Sequence, residues 1–407
     1  MGDTDGGAGL GSTIVGLVGV VGIVGAGTMG AGIAQVALEA GHEVRLHDVD
    51  PAAVERARTR IAEGLTRSAT RAGKAPTDAA TSVASVLERF RPAVDIETVA
   101  QDAGLVIEAA LEDLALKRRI FAALDRAAPS SAILATNTSA LSVAAIGGAT
   151  RTHRDSVIGL HFFNPAPRMA LVEVVRTPAA DPAVIARAAA LMTAWGKTPV
   201  VCSDNPGFIV NRVNRPFTLE ALSLLETGTA SVTRLDGAIR AAGFPMGPFA
   251  LMDLIGIDIN LAAAAGLYEA MGQAPRFRPS PIQERLVAAG RLGRKTGSGF
   301  YRYGAAGEML GVDPEVTGSD ASGTADERLV ERIVLAIVNE AFSALGDGVA
   351  NEADIDRALR LGAGHPLGPF EQVRALGGRA SVVRRLRELA PVGGPRFDPA
   401  PMLADVR

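Results

Sequence analysis

Of the five histidines in this 407-residue chain, one stands where a proton could be moved. His161 ends the apolar run Val157-Ile158-Gly159-Leu160 and opens onto Phe162-Phe163-Asn164-Pro165-Ala166-Pro167. Further on, Glu173 interrupts a second apolar run, 171–175. A carboxylate inside an apolar strand is costly to bury unless it is paired. A histidine backed by such a carboxylate has its imidazolium stabilised and its tautomer fixed, which makes it a general base near neutral pH. The pattern alone leaves a satisfied core histidine beside an unrelated glutamate equally open. His42, His47 and His153 lie near turns or strand ends with no evident partner and read as surface or structural. His365 falls in a repeat where its counterpart is Phe244, which points to packing.

A second chemical signal is Gly25-Ala26-Gly27-Thr28-Met29-Gly30. With 46 glycines in the chain, a G-x-G-x-x-G match by itself is weak. Its context is stronger: it follows a strand over 18–24, precedes a helix over 31–40, and a second strand over 43–47 ends at Asp48. Strand, glycine turn, helix and strand make a βαβ unit. The first glycine makes the tight turn, the second lets the backbone approach a pyrophosphate, and the third allows close helix–strand packing, with the helix N-terminus attracting the phosphates. Asp48 is placed to accept bonds from the adenosine ribose hydroxyls and to repel a 2′-phosphate, so NAD is favoured over NADP. Arg45 precedes the acid and points elsewhere. The alternative is a glycine-rich turn with no ligand. No metal is expected.

Positioning these groups requires an alternating fold. Residues 51–91 read as helical with arginines on the polar face. Strands are expected over 105–108, 132–135, 157–161 and 171–175, with a helix over 114–126. That alternation indicates a doubly wound α/β sheet. After Cys202 helices dominate and no strand alternates convincingly. Hydrophobic residues at 48% and charged at 21% fit two or three packed domains. No apolar run approaches the ~20 residues of a bilayer span, so no membrane is expected. The stretch 14–24 is short, broken by glycines and lacks a basic flank, unlike a secretory signal. A net charge of −3 speaks against nucleic acid. The single Cys202 cannot form an internal disulfide and fits a reducing cytoplasm. Lys74, Lys117, Lys197 and Lys295 are the only lysines, which adds interest to any at a motif position.

The helical half carries a repeat. Leu219-Glu220-Ala221-Leu222-Ser223 is echoed by Asn339-Glu340-Ala341-Phe342-Ser343, and Asp236-Gly237-Ala238-Ile239 by Asp356-Arg357-Ala358-Leu359, both at an offset of 120. Gly243-Phe244-Pro245-Met246-Gly247-Pro248-Phe249 answers Gly364-His365-Pro366-Leu367-Gly368-Pro369-Phe370, shifted by one more residue. Three ordered matches indicate a duplicated helical domain. The expected organisation is a disordered tail over 1–17, a Rossmann-like NAD-binding domain over 18–203, a helical domain over 204–304, a Gly/Ser/Asp-rich linker over 305–325 and a degenerate second helical domain over 326–407.

Four stretches occur in order: Val21–Gly30, the Asn137-Thr138-Ser139 turn, His161–Pro167, and Pro206-Gly-Phe-Ile-Val-Asn-Arg212. With Gly243–Pro248 and Arg294-Lys-Thr-Gly-Ser-Gly-Phe-Tyr301, they resemble the L-3-hydroxyacyl-CoA dehydrogenase family, which includes 3-hydroxybutyryl-CoA dehydrogenases. The resemblance covers roughly 18–303. It implies a Rossmann-like domain followed by helical domains of the 6-phosphogluconate dehydrogenase C-terminal type. It implies oxidation of an acyl-CoA 3-hydroxyl to a ketone, with hydride passed to NAD, in fatty-acid β-oxidation or butanoate-type metabolism. On that resemblance His161 is the base, Glu173 its support, and Ser139 and Asn211 position the substrate. Gly25, Gly27, Thr28, Met29, Gly30, Asp48, Asn137 and Ser139 hold the cofactor. Glu112 and Lys117 match contacts to the nicotinamide-side ribose, although a Glu and Lys five apart on a helix are commonly just solvated. Asn164 matches a residue near the nicotinamide.

The family holds CoA with the excursion after the second strand, where Arg56, Arg60, Arg67, Arg71 and Lys74 could meet phosphates or simply face water. The layout with two helical copies resembles the dehydrogenase half of the multifunctional fatty-acid oxidation subunit. The second copy has Glu331 where the first has Asn211, so it is expected to be structural. It either packs on the first as an internal pseudo-dimer in a monomer, or the chain forms a homodimer. Alternatives on the same fold are a 3-hydroxyadipyl-CoA or gulonate-type dehydrogenase, and a non-catalytic NAD-binding structural protein like the related lens crystallin.

Overall fold

The computed structural model describes residues 19–320 and 323–405, so the tail expected over 1–17 lies outside the described residues. The chain divides into two compact units between Asn205 and Pro206, beside the boundary expected after 203. Among the described residues, the first unit holds eight strands: β1 (Val20–Val24), β2 (Glu43–His47), β3 (Phe90–Pro92), β4 (Ala103–Glu108), β5 (Ile133–Thr136), β6 (Val157–Phe162), β7 (Leu171–Arg176) and β8 (Thr198–Ser203). Their spatial order is β3-β2-β1-β4-β5-β6-β7-β8. Neighbours are parallel except β6 and β7. The connection between those two, 163–170, is too short for the parallel crossover of about a dozen residues, so the chain must turn back. Ile107 and Ala135 are fully buried, and so are Val106 and Leu134 on the opposite face. A parallel sheet covered on both sides requires such unbroken apolar runs. The doubly wound Rossmann-like fold is therefore the observed one.

The region 51–91 is helical over most of its length, as expected. It forms two helices, Pro51–Arg71 and Pro76–Leu87, before edge strand β3. Gly73 turns the chain at φ +75°, and Pro76 can start a helix but not continue one. Strand β8 was not anticipated. It lies at the sheet edge, where Pro199 costs no interior ladder bond. His42 and His153 are structural, yet both have partners the local sequence does not reveal. Trp195 Nε1 donates to His42 Nε2 at 2.9 Å, and His153 sits between Asp125 and the Pro129 carbonyl at 3.0 and 2.8 Å.

The second unit is a helical duplication with matched chemistry. Asp236 accepts from the Phe249 and Ala250 amides at 3.0 and 2.9 Å. Asp356 accepts from the Phe370 and Glu371 amides at 2.7 and 3.2 Å. Each thus closes the start of the next helix, Pro248–Ile255 or Pro369–Ala375, and burial pushes both carboxyls up.

The two copies then clamp one another. Fully buried Glu220 takes Arg332 and Arg396, each at 2.5 Å. Glu340, equally inaccessible, takes Arg212 and Arg276 at 2.8 and 2.7 Å. Arg212 and Arg332, Glu220 and Glu340, and Arg276 and Arg396 are all offset by 120. Each glutamate is therefore held by two arginines of the other copy, the reciprocal pattern of a two-fold interface.

The copies differ where the first carries extra structure. Asp253 accepts from the Phe300 and Tyr301 amides and the Tyr303 hydroxyl at 2.9, 2.8 and 3.0 Å, and burial pushes its carboxyl up to about 6. It anchors the Arg294–Tyr301 motif and the hairpin of β9 (Tyr301–Tyr303) with β10 (Met309–Val312). The segment 305–325 is accordingly no plain linker: β10 lies in it, and its Asp313 bonds Arg291 at 2.5 Å. The second copy has Arg374 in place of Asp253.

His365 packs among rings, 5.0 Å from Phe244 and 6.2 Å from Phe217, and its Nε2 lies 2.7 Å from Asn214 Oδ1. Burial pushes it down to about 4 from an ordinary 6.5. The unfolded chain takes up that proton at the higher pH, so this site loses folding stability as pH falls from about 6.5 to 4. His365→Phe, which copies the residue of the first repeat, removes the loss. Urea unfolding at pH 7 and pH 4.5 is expected to show the variant gaining about 2–3 kcal/mol relative to wild type at the lower pH; an unchanged difference contradicts the assignment.

Candidate active site

The site residues expected in the first unit gather at the carboxyl ends of the parallel strands, where open α/β sheets place their ligands, with Glu173 joining them from the amino-terminal half of the reversed β7. β1 runs into Gly25, which takes φ +105°, and a Cβ there would lie 2.6 Å from the Ala109 carbonyl. A Cβ on Gly30 would stand 1.8 Å from the Gly25 carbonyl, so helix Thr28–Glu39 can approach the turn only with glycine there. A Cβ on Gly27 would meet nothing within 4 Å. Exposed Gly27 and Thr28 and half-buried Met29 therefore leave a backbone surface at the start of a helix with no acid in its first turn. Asp48 lies beside it, accepting from Ala26 N at 2.7 Å and Asp50 N at 3.0 Å. The turn thus fits a pyrophosphate and the acid a ribose. Arg45 is committed to the Thr98 and Gln101 carbonyls at 3.3 and 2.5 Å, as its position before the acid implied.

The antiparallel pair creates the second element. His161 of β6 stands directly opposite Glu173 of β7. His161 Nδ1 and Glu173 Oε2 are 2.6 Å apart, with the glutamate fully buried. A carboxylate can only accept, so Nδ1 carries the proton and the basic lone pair lies on Nε2. The glutamate is therefore the histidine's partner, not an unrelated core acid. Phe163 packs on the imidazole at 4.6 Å. Asn137, from the turn after β5, accepts from Phe162 N at 2.8 Å and ties that turn to β6.

Ser139 is exposed on the same turn, and its amide donates to Glu112 Oε1 at 2.9 Å. Thr138 Oγ1 and Ala140 N donate to that oxygen at 2.6 and 3.2 Å. Burial works against the ionised Glu112, but these bonds and Lys117 outweigh it and hold its carboxyl below the usual range. Glu112 precedes the helix Leu114–Ala127, and Lys117 is 1% exposed. The two are therefore not a solvated helical pair. Asn164 is exposed just beyond β6. Asn211 belongs to the second unit, on the short helix Val210–Val213. Glu331, at its place in the second copy, pairs with Arg328 and Arg385. Arg56, Arg60, Arg67, Arg71 and Lys74 are all exposed, with Arg56 bonded to Asp50 and Arg67 near Glu63.

Sequence reasoning missed Glu108, Thr136 and Thr138. Glu108 ends β4 fully buried, bonded to Lys117 Nζ at 2.6 Å and to Thr136 Oγ1 at 2.7 Å. The signal was available, because Glu108 is an acid closing an apolar strand, as Glu173 is an acid within one.

A doubly wound sheet, a glycine turn shaped for a dinucleotide and a carboxylate-held histidine define a nicotinamide-dependent dehydrogenase. The family model described as "3-hydroxyacyl-CoA dehydrogenase, NAD binding domain" matches residues 20–205. That described as "3-hydroxyacyl-CoA dehydrogenase, C-terminal domain" matches 207–303 and again 329–406. The chain belongs to the 3-hydroxyacyl-CoA dehydrogenase family, and its cofactor is NAD. It is 36% identical to the 3-hydroxyadipyl-CoA dehydrogenase of Escherichia coli over 93% of this chain and 95% of that one. It is 41% identical to the mitochondrial hydroxyacyl-coenzyme A dehydrogenase of Sus scrofa over 68% of this chain and 88% of that one. A crystal structure of an Escherichia coli 3-hydroxybutyryl-CoA dehydrogenase superposes with a TM-score of 0.84 at 36% identity, covering 95% of this chain and 97% of that one.

Proposed function

We propose that the chain oxidises the 3-hydroxyl of an (S)-3-hydroxyacyl-CoA to the 3-oxo thioester, with His161 as the general base. The observation that carries this reading is the 2.6 Å His161–Glu173 bond at the same strand ends as the glycine turn. His161 Nε2 takes the hydroxyl proton while C3 gives up a hydride and the C–O bond becomes a carbonyl. What NAD supplies when bound is the acceptor for that hydride. Glu173 fixes the tautomer and stabilises the imidazolium that forms. Ser139 steadies the charge developing on the oxygen, held in place by the Glu112 carboxylate behind its amide. Asn211 is assigned to the thioester side of the substrate. Gly25, Gly27, Thr28, Met29 and Gly30 cradle the pyrophosphate, and Asp48 takes the adenosine ribose. Glu112 and Lys117 face the second ribose, Asn164 borders the nicotinamide, and Asn137 is a further cofactor-binding residue. Exposed Arg56, Arg60, Arg67, Arg71 and Lys74 remain candidates for the CoA phosphates. The pathway is fatty-acid or butanoate-type metabolism, and the lone buried Cys202 accords with a cytoplasmic setting.

A second substrate reading is favoured by the relative that this chain matches end to end, a 3-hydroxyadipyl-CoA dehydrogenase. Initial rates with 3-hydroxybutyryl-CoA and 3-hydroxyadipyl-CoA, each with NAD and NADP, test both. The expected result is turnover of at least one CoA ester, with NAD preferred at least about tenfold. Turnover of the free acid alone, or of neither ester, overturns the proposal.

For assembly, the reciprocal Glu220 and Glu340 clamps favour a monomer whose second helical copy serves as partner to the first. Sedimentation at micromolar concentration is expected to show one species at the chain mass of 41.9 kDa. A dimer contradicts this reading.

A further inference from the structure

We infer that Glu108 is a positioning residue that sets the cofactor-facing end of the site by acting through Lys117. The inference rests on the reading of Lys117 as a cofactor contact. Glu108 is fully buried, and three segments donate to it. Its Oε1 accepts from Ala110 N and Lys117 Nζ at 2.7 and 2.6 Å, and its Oε2 accepts from Thr136 Oγ1 at 2.7 Å. Strand register fixes the threonine there, since Glu108 and Thr136 are paired neighbours at the ends of β4 and β5.

Lys117 has two carboxylates within reach. It lies 2.6 Å from Glu108 Oε1 and 3.3 Å from Glu112 Oε2, and the first acid is fully buried while the second is 38% exposed. Attraction is stronger at the shorter distance and in the drier setting, so Glu108 dominates the ammonium. That leaves Glu112 Oε1 to gather the Thr138 hydroxyl and the Ser139 and Ala140 amides. The order of contact is Thr136, Glu108, Lys117, Glu112, Ser139. Removing the charge of Glu108 leaves the buried ammonium with Glu112 as its one remaining anion, drawing that carboxylate off the Ser139 turn. A buried ion pair by itself contributes little net stability. Its place between two strand ends at the nucleotide edge accounts for it better than a role in the core.

The test is a double-mutant cycle on NADH binding, read by nucleotide fluorescence with no substrate present. Lys117→Met and Glu108→Gln are each expected to weaken NADH about tenfold. The double variant should be no weaker than Lys117→Met, within about twofold. Thr136→Val removes only the Oε2 bond and keeps the test available where Glu108→Gln fails to fold. It should weaken NADH about threefold in the wild type and not at all beside Lys117→Met. Losses that multiply across the cycle, or an unchanged Kd in both Glu108→Gln and Thr136→Val, overturn the inference. An unchanged Kd in Lys117→Met overturns instead the cofactor contact on which it rests.

Discussion

A charge removed from water has to meet an opposite charge or a hydrogen-bond donor, and four glutamates governed by that requirement organise both units. Glu108, Glu173, Glu220 and Glu340 are at most 2% exposed. An isolated carboxylate at such depth is prohibitive, and removing one partner of a buried pair is far more damaging than the pair is helpful. Each acid therefore dictates where cations and donors must stand. Glu173 draws His161, Glu108 draws Lys117, and Glu220 and Glu340 each draw two arginines from the opposite repeat. In the first unit the requirement positions reactive groups. In the second it positions whole helices.

The reversal of β7 is what makes the first pairing possible. A parallel β7 would need a crossover far longer than 163–170, and the register that sets His161 against Glu173 would be lost. The same strand ends carry Gly25, Glu108 and the Ser139 turn, so a short connection and one change of strand direction bring Glu173 to the histidine at the nucleotide edge. Here the fold constrains chemistry more tightly than any single residue does.

What was legible in the sequence was local or periodic. The glycine turn, the first two strands and Asp48 are contiguous, and an acid within an apolar run announces itself, as Glu173 did. The repeat was legible because Glu220, Asp236 and the Gly-x-Pro turn recur in order. What escaped depends on contacts far along the chain. His42 looked unpartnered because Trp195 lies 153 residues away. Arg332 and Arg396 carry no motif, and only the folded clamp shows why they match Arg212 and Arg276. The helical reading of 51–91 holds for most of its length, and the break into two helices has a local cause in Pro76, a helix start. The duplication also explains itself by what it kept. Asp356 and the glutamate–arginine clamp persist, while Asn211 has become Glu331 and Asp253 has become Arg374, so the groups that build an interface remain and those that build the first copy's hairpin and polar face do not.

The account turns on a buried carboxylate fixing the base across an antiparallel strand pair. Glu173→Gln keeps the size of the side chain and removes its charge, and the measurement is kcat beside NADH Kd in the same preparation. The account predicts a fall in kcat of about 10²–10⁴-fold with NADH affinity held within about threefold. A variant that turns over within threefold of wild type, or that loses NADH binding in step with kcat, would contradict it.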